Sequence, residues 1–184
     1  MLTVPTEVVI KGDTTSMSRN NQSINNTAAT SLLDAQQMFQ GQTNITCIRC
    51  DMPHVLNLQY FADGCTNLEA FYGSLASFTG VGQSFSFTAG GKLKTFISDL
   101  SSLEDGSTLF VNSKGNCSAF LDEESVRTIA ETIKDWKHNP GKTIKFGIFN
   151  TSKTDFDNGT NNNFKKYVDI MNAKGWNVDL YIGD

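Results

Sequence analysis

The sequence predicts an α/β protein: a short solenoid whose coils build a parallel β-sheet, closed at its C-terminal end by a β-α-β-α-β cap. Two observations support this prediction. Apolar residues recur every 23–25 positions through the middle of the chain, and strand and helix patterns alternate through its last third. We divide the 184 residues into an extended arm and polar linker at 1–27, a capping helix with three coils at 28–112, and the cap at 113–184.

The central repeat is visible when NLEAFYGSLASF, at residues 67–78, is aligned with KLKTFISDLSSL, at residues 92–103. With a shift of 25 positions (93 − 68), residues 68–85 match residues 93–110 at five positions, four of them large and apolar. An earlier copy, at residues 41–52, fits with a shift of 23 (64 − 41). Three copies of a unit of this length are typical of a solenoid.

Each copy reads as a short strand, a turn and a return segment. A single coil cannot bury its own inner face, so neighbouring coils and end caps must cover it. We expect the apolar side chains of each strand to point inward and to stack coil upon coil in one core. The three strands share an apolar-x-x-apolar-x-small pattern: Ile45-x-x-Ile48-x-Cys50, Leu68-x-x-Phe71-x-Gly73 and Leu93-x-x-Phe96-x-Ser98.

The N-terminal residues read as an extended arm followed by a polar linker, because residues 14–26 contain almost no apolar side chains. From Thr30 the pattern becomes helical, with Leu33 and Phe39 among the residues that fall on adjacent turns. We expect this short helix to cover the first coil.

The C-terminal third alternates strand and helix patterns. Asp122 is expected to cap a helix whose apolar stripe runs from Val126 to Trp136. The strands are expected to continue the parallel sheet, with helices on one side, and to close the open end of the solenoid. The other predicted elements are strands at residues 109–111, 143–149 and 176–182 and a helix at residues 162–174.

Composition and charge limit the classes of function that we expect for this chain. The formal net charge of −4 argues against nucleic-acid binding, which needs a basic surface. No apolar run of 18 residues occurs, so we expect no membrane insertion. The first residues lack the basic start and long apolar stretch of a secretory signal. The protein is therefore expected to act where it is made, to be carried out within a larger particle, or to belong to a longer chain.

The Cys-Ile-Arg-Cys motif at residues 47–50 has the spacing of a zinc or redox site, but no second ligand pair accompanies it. In a strand, residues three apart point to opposite faces, so we expect Cys47 and Cys50 to be structural thiols. The two histidines, His54 and His138, are 84 positions apart (138 − 54) and complete no catalytic arrangement. We therefore expect no metal, no cofactor and no enzymatic activity.

Two further motifs are interpreted as loops. Residues 79–82 are glycine-rich, but the Lys-Ser/Thr of a phosphate-binding loop is missing, which favours a turn between coils. Asp155, Asp157 and Asn158 suggest a calcium loop, but its twelfth-position glutamate is missing, which favours an ordinary polar loop.

The lead-in Phe61-Ala-Asp-Gly-Cys-Thr-Asn-Leu68, followed by Phe71 and Leu75, resembles the BspA-like leucine-rich repeat family. The resemblance covers about residues 38–112 and departs from the family pattern where Phe replaces Leu and where Gly91 stands in the place of Cys65. The C-terminal part is similar to the segment that often ends such arrays, most clearly at Lys174-Gly175-Trp176.

The resemblance implies a leucine-rich-repeat solenoid that binds rather than catalyses. Proteins of this type are typically bacterial surface proteins or bacteriophage virion proteins. We expect a virion component (capsid decoration, fibre or tail) whose partners are other virion or surface proteins, reached through the N-terminal arm, or a host-surface protein or glycan. The alternative is a bacterial cell-surface adhesion domain.

The repeat also predicts a binding surface. Strand positions that point away from the core align across the three coils into a small plate of mixed polarity, with an aromatic ring and an arginine of the kind favoured at binding hot spots. Alternatively, this face is solvated and has no partner. The candidate residues are Thr46, Arg49, Asp51, Glu69, Tyr72, Ser74, Lys94, Ile97 and Asp99.

Overall fold

A computed structural model describes residues 6–10, 33–80, 84–85, 92–111, 114, 116–148, 153–160 and 163–183, the first of these ranges as backbone only. The secondary structure of these residues begins with the strands of the coil region and continues with alternating helices and strands. In chain order the elements are β1 (Thr6–Ile10), β2 (Ile45–Cys50), β3 (Ala70–Tyr72), β4 (Thr95–Ile97), β5 (Phe120–Leu121), α1 (Glu123–Thr132), β6 (Lys142–Ile148), α2 (Lys153–Asn158), α3 (Phe164–Ala173) and β7 (Trp176–Ile182).

The strands form two parallel sheets. The first has the order β1-β2-β3-β4, and the second has the order β5-β6-β7. Helix α1 packs against α3, and α3 packs against β7. The predicted α/β class with parallel sheets is confirmed. Among the described residues, no helix has both the length and the apolar composition needed to cross a membrane.

The inward strand positions line up in register from coil to coil. Ile48 aligns with Phe71, and Phe71 aligns with Phe96. All three side chains are fully buried, and the rings of Phe71 and Phe96 stack with 5.3 Å between their centroids. Leu68 and Leu93 belong to the same hydrophobic cluster. The prediction that these side chains share one core is confirmed.

A second column of phenylalanines comes from the return segments. The rings of Phe39 and Phe61 lie 5.1 Å apart, those of Phe61 and Phe85 5.6 Å, and those of Phe85 and Phe110 6.1 Å. This column interleaves with the strand column, because Phe85 contacts Phe71 at 5.1 Å and Phe96 at 5.2 Å. All of these pairs except Phe85–Phe110 meet edge to face, a geometry that adds about 0.5–1.5 kcal/mol for each pair beyond the area it buries.

The predicted N-terminal capping helix is wrong. Thr30 lies outside the described residues, and residues 33–41 form turns that run parallel to residues 56–64. Gln37 and Tyr60, which occupy equivalent positions, both have left-handed backbone angles, with φ of 58° and 57°. A right-handed helix cannot pass through such a residue. Residues 33–41 therefore run alongside residues 56–64 as a further return segment and do not form a helix.

The return segments share one hydrogen-bonded turn that the apolar pattern of the sequence does not predict. The side-chain oxygen Oδ1 of an Asp or Asn accepts a hydrogen bond from the backbone N–H two residues later. This bond repeats with lengths of 2.8, 3.0 and 2.8 Å at Asp34–Gln36, Asn57–Gln59 and Asp105–Ser107.

The turn predicted at residues 79–82 is described as far as Gly80, while Gly82 lies outside the described residues. Gly80 has φ of +100°, and a Cβ atom there would lie 1.6 Å from the carbonyl oxygen of Asp105 in the next coil. A glycine is therefore required for the close approach of these two coils.

The strand predicted at residues 109–111 is also wrong. Residues 107–110 form a turn, and Val111 makes one antiparallel bridge to Cys117. Leu109 and Phe110 are apolar because they occupy core positions of a return segment, and an apolar run of three residues fits a buried turn as well as a strand. The strand that begins the C-terminal unit is β5.

The C-terminal unit otherwise follows the predicted order, with differences at its edges. Asp122 caps α1 as predicted, its Oδ1 accepting a hydrogen bond from the N–H of Ser125 at 2.8 Å. Helix α1 ends at Thr132, however, so Trp136 lies beyond it. The segment interpreted as a polar loop, which contains Asp155 and Asp157, is instead the short helix α2. Strand β7 has the predicted bounds.

The prediction that the C-terminal strands continue the first sheet is wrong. They form a sheet of their own, which is joined to the last coil at two places. The N–H of Phe120 donates to the carbonyl of Leu93 at 3.1 Å, and that of Asp122 donates to the carbonyl of Lys94 at 2.7 Å. On the return side, Gly106 bridges to Ile144 of β6. The division of the chain at residues 27 and 112 stays a prediction.

Candidate binding face

The outer face of the first sheet is built from strand positions that alternate with the buried columns. The structure aligns Arg49 with Tyr72 and Ile97 in one row, as the repeat predicts. A second row contains the small residues Cys47, Ala70 and Thr95. This alignment is confirmed, and the role of the face in binding stays a prediction.

The central row combines a cation, an aromatic ring and an aliphatic side chain. The guanidinium carbon of Arg49 lies 4.0 Å from the centroid of the Tyr72 ring, a cation–π geometry. Arg49 is exposed, whereas Tyr72 and Ile97 are half-buried. Stacking on the ring favours this orientation of the arginine side chain.

The upper row, Thr46–Glu69–Lys94, is held together by backbone hydrogen bonds between coils. The N–H of Glu69 donates to the carbonyl of Thr46 at 2.8 Å, and the N–H of Lys94 donates to the carbonyl of Glu69 at 3.1 Å. Glu69 and Lys94 are exposed and Thr46 is half-buried. The row therefore presents one negative and one positive charge on neighbouring coils.

The lower row, Asp51–Ser74–Asp99, presents two carboxylates, each of which accepts a backbone hydrogen bond. Oδ1 of Asp51 accepts a hydrogen bond from the N–H of Ser74 in the next coil at 3.0 Å. Oδ1 of Asp99 accepts one from the N–H of Ser101 at 2.8 Å. Asp51 is exposed, and the other two residues of the row are half-buried. None of the nine candidate residues is buried: four are exposed and five are half-buried.

Asp122, at the border of this face, has a second role besides the helix cap that its sequence position predicts. Oδ2 of Asp122 accepts a hydrogen bond from Oγ1 of Thr95 at 2.6 Å, while its Oδ1 caps α1. The fully buried Ser125 accepts a hydrogen bond from the N–H of Phe96 at 2.7 Å. The capping pattern in the sequence identifies Asp122, but its bond to Thr95 depends on tertiary contact. These bonds fix the C-terminal border of the face.

Burial raises the pKa values of three of the four cysteine thiols. Burial raises the pKa of Cys50 to about 12 and that of Cys65 to about 11, and the Cys65 thiol donates to the carbonyl of Phe39 at 2.9 Å. Burial also raises the pKa of Cys117 to about 11. Because the raised pKa values keep these thiols protonated at neutral pH, they disfavour the thiolate form that nucleophilic or redox chemistry requires. Within the described ranges, no three His, Cys, Asp or Glu side chains gather as a potential metal site.

Comparisons with known proteins identify no relative. No family model matches the chain, and no curated protein or solved structure is significantly similar to it. The resemblance to BspA-like leucine-rich repeats therefore rests on the quoted residues alone and stays a prediction.

Proposed function

We propose that the chain is a non-enzymatic leucine-rich-repeat protein that binds another protein through the outer face of its first sheet. We further propose that it acts as a bacteriophage virion component, in a structural or host-surface-binding role. The observation that carries the binding proposal is the in-register row Arg49–Tyr72–Ile97, in which the guanidinium of Arg49 stacks on the ring of Tyr72.

The chemistry of the plate supports a protein partner. Tyrosine and arginine are the side chains most often found at the energetic centre of protein interfaces. Around them, Lys94 supplies a positive charge and Asp51, Glu69 and Asp99 supply negative charges, which would set the orientation of a partner of complementary charge. Three strands about 4.8 Å apart offer a patch at the small end of specific interfaces.

The binding face is tested by variants that change its centre and leave the core intact. Proteins that co-purify with the tagged chain are identified by mass spectrometry, and the best candidate is then titrated against each variant. Tyr72→Ala is expected to weaken binding about tenfold or more. The control is Gln36→Ala, which changes an exposed residue on a return segment. Equal affinity of Tyr72→Ala and the wild type would contradict the proposal.

The virion assignment is supported by the sequence resemblance and needs a separate test. Electron microscopy of particles formed without the protein is expected to show a missing density in the capsid, fibre or tail. Particles in which every density remains would refute a virion role. Recovery of the chain from bacterial cell surfaces would instead favour the adhesion domain.

The non-enzymatic part of the proposal is supported by the raised pKa values of three of the four thiols and by the distance along the chain between the two histidines. Turnover of a substrate that disappears when one polar residue is changed would contradict it.

A further inference from the structure

The first coil differs from the others in how its strand is connected to its return segment. Ile10, at the end of β1, aligns with Cys50, at the end of β2. Leu33 and Leu56, which begin the corresponding return segments, are joined by a hydrogen bond from the N–H of Leu56 to the carbonyl of Leu33 at 2.9 Å. Strand β1 and residues 33–41 therefore occupy the positions of one coil.

The connection within this coil is much longer than the geometry requires. Ile10 and Leu33 are 23 positions apart (33 − 10), whereas Cys50 and Leu56 are only 6 apart (56 − 50). In the last coil, the equivalent positions Ser98 and Glu104 are also 6 apart (104 − 98). The connection from strand to return segment is thus 17 residues longer in the first coil than in the next (23 − 6). The length of this connection does not confine β1 to its own molecule.

Strand β1 is also held from one side only. It lies at the edge of the first sheet and pairs in parallel with β2 over Thr6–Ile10, with a register shift between Thr6 and Glu7. The backbone bonds of this pairing are the same whichever molecule supplies the strand. A terminal edge strand can be exchanged between identical molecules, as in domain swapping, when its connection is long enough to reach the second molecule.

We propose that the β2 edge of one molecule accepts residues 6–10 of a second copy of the chain, so that neighbouring copies exchange their first strands. A connection of 23 residues spans at most about 80 Å, whereas the four strands of the sheet are about 15–20 Å across, so its length permits this exchange. Exchange conserves the number of β1–β2 pairs, and its main cost is the entropy of association. The exchanged form should therefore increase with local concentration, as in an assembly of many copies. This inference does not depend on the proposed function of the outer face.

The register provides a direct test, because Glu7 aligns with Cys47. The double variant Glu7→Cys/Cys47→Ser is mixed with the wild-type chain, and the two are refolded together from urea with oxidised glutathione. A disulfide between position 7 and Cys47 can then form only between molecules. Non-reducing gels and peptide mass spectrometry are expected to show this heterodimer, with a fraction that rises several-fold between about 10 µM and about 1 mM protein.

Two controls separate exchange from random oxidation. Val8→Cys/Cys47→Ser places the thiol one position out of register and is expected to give several-fold less heterodimer with Cys47. Deletion of residues 14–30 from both partners leaves Ile10 and Leu33 6 positions apart (33 − 10 − 17), as Cys50 and Leu56 are. This deletion ties β1 to its own coil and is expected to suppress the heterodimer.

Two results would overturn the proposal. In the first, Glu7→Cys in the otherwise wild-type chain forms the disulfide with its own Cys47, and no heterodimer forms at about 1 mM, which means that β1 pairs only within its own molecule. In the second, Glu7→Cys forms no disulfide with Cys47 in either form, which contradicts the pairing itself.

Discussion

Single residues decide whether the coils fit together, and the phenylalanines show this most clearly. Phe71 is fully buried and its ring contacts those of Phe61, Phe85 and Phe96 in three other strand or return segments. Its inward position could be predicted because the apolar pattern recurs at a fixed period. The second column, to which Phe85 belongs, was not predicted, since the return segments have no simple period of two or 3.6 residues.

We expect Phe71→Ala to lower the free energy of unfolding by about 3–5 kcal/mol, because it removes a large side chain from a closed core and leaves a cavity. Urea denaturation measures this loss. Leu56→Ala is the matched control, since Leu56 is 55% exposed and its truncation should cost about 0.5 kcal/mol or less. A loss below about 1 kcal/mol for Phe71→Ala would show that its ring is not enclosed between coils.

The thiols give a second prediction for single residues. In the folded protein, Cys50 and Cys65 should resist alkylation at neutral pH, because both are buried and their pKa values of about 12 and about 11 keep them protonated. Mass spectrometry of peptides after treatment with iodoacetamide measures the modified fraction at each site. Cys47, which is half-buried, should react first. Equal modification of Cys50 and Cys47 without unfolding would contradict the buried position of Cys50.

Secondary-structure elements could be predicted where a periodic apolar face coincides with a clear end signal. Strand β7 alternates over its whole length, and α1 begins at the capping residue Asp122. The prediction failed at residues 33–39, where apolar residues at helical spacing belong to a segment of turns. There the neighbouring coil supplies the hydrogen-bond partners: the N–H groups of Ala35 and Gln37 donate to the carbonyls of Asn57 and Gln59. Such partners cannot be read from a local pattern.

At the scale of the element, Asp122 joins α1 to the last coil, because one carboxylate oxygen caps the helix and the other accepts from Thr95. We expect Asp122→Ala to destabilise the protein by about 1–3 kcal/mol, more than a helix cap alone contributes. Thermal or urea unfolding measures the effect. Asp169→Ala, which removes an exposed ion pair with Lys165 on α3, should cost about 0.5 kcal/mol or less. Equal losses in the two variants would mean that neither the cap nor the bond to Thr95 contributes more than an exposed ion pair does.

At the scale of the whole molecule, the coils and the C-terminal unit share one hydrophobic cluster. Backbone bonds join them at Leu93–Phe120 and Lys94–Asp122 on the strand side and at Gly106–Ile144 on the return side. The sequence predicts a cap at this end of the stack, but not the second sheet, because β5 is only two residues long and has no period of its own. We infer that coils and cap fold as one cooperative unit.

The positions of the two tryptophans make this inference measurable. Trp136 and Trp176 both lie in the C-terminal unit, and Nε1 of Trp136 donates to the carbonyl of Leu103 in the last coil at 3.1 Å. Tryptophan fluorescence therefore reports on the cap, whereas far-UV circular dichroism reports on the whole chain.

The most direct measurement is urea unfolding of the wild type and of Phe71→Ala, followed by both signals on the same samples. If the stacked coils and the cap share one core, the two signals give the same midpoint in each protein, and both midpoints fall together in the variant. If the fluorescence midpoint stays in place while the circular dichroism midpoint falls, the coils and the cap are independent, and the shared core is contradicted.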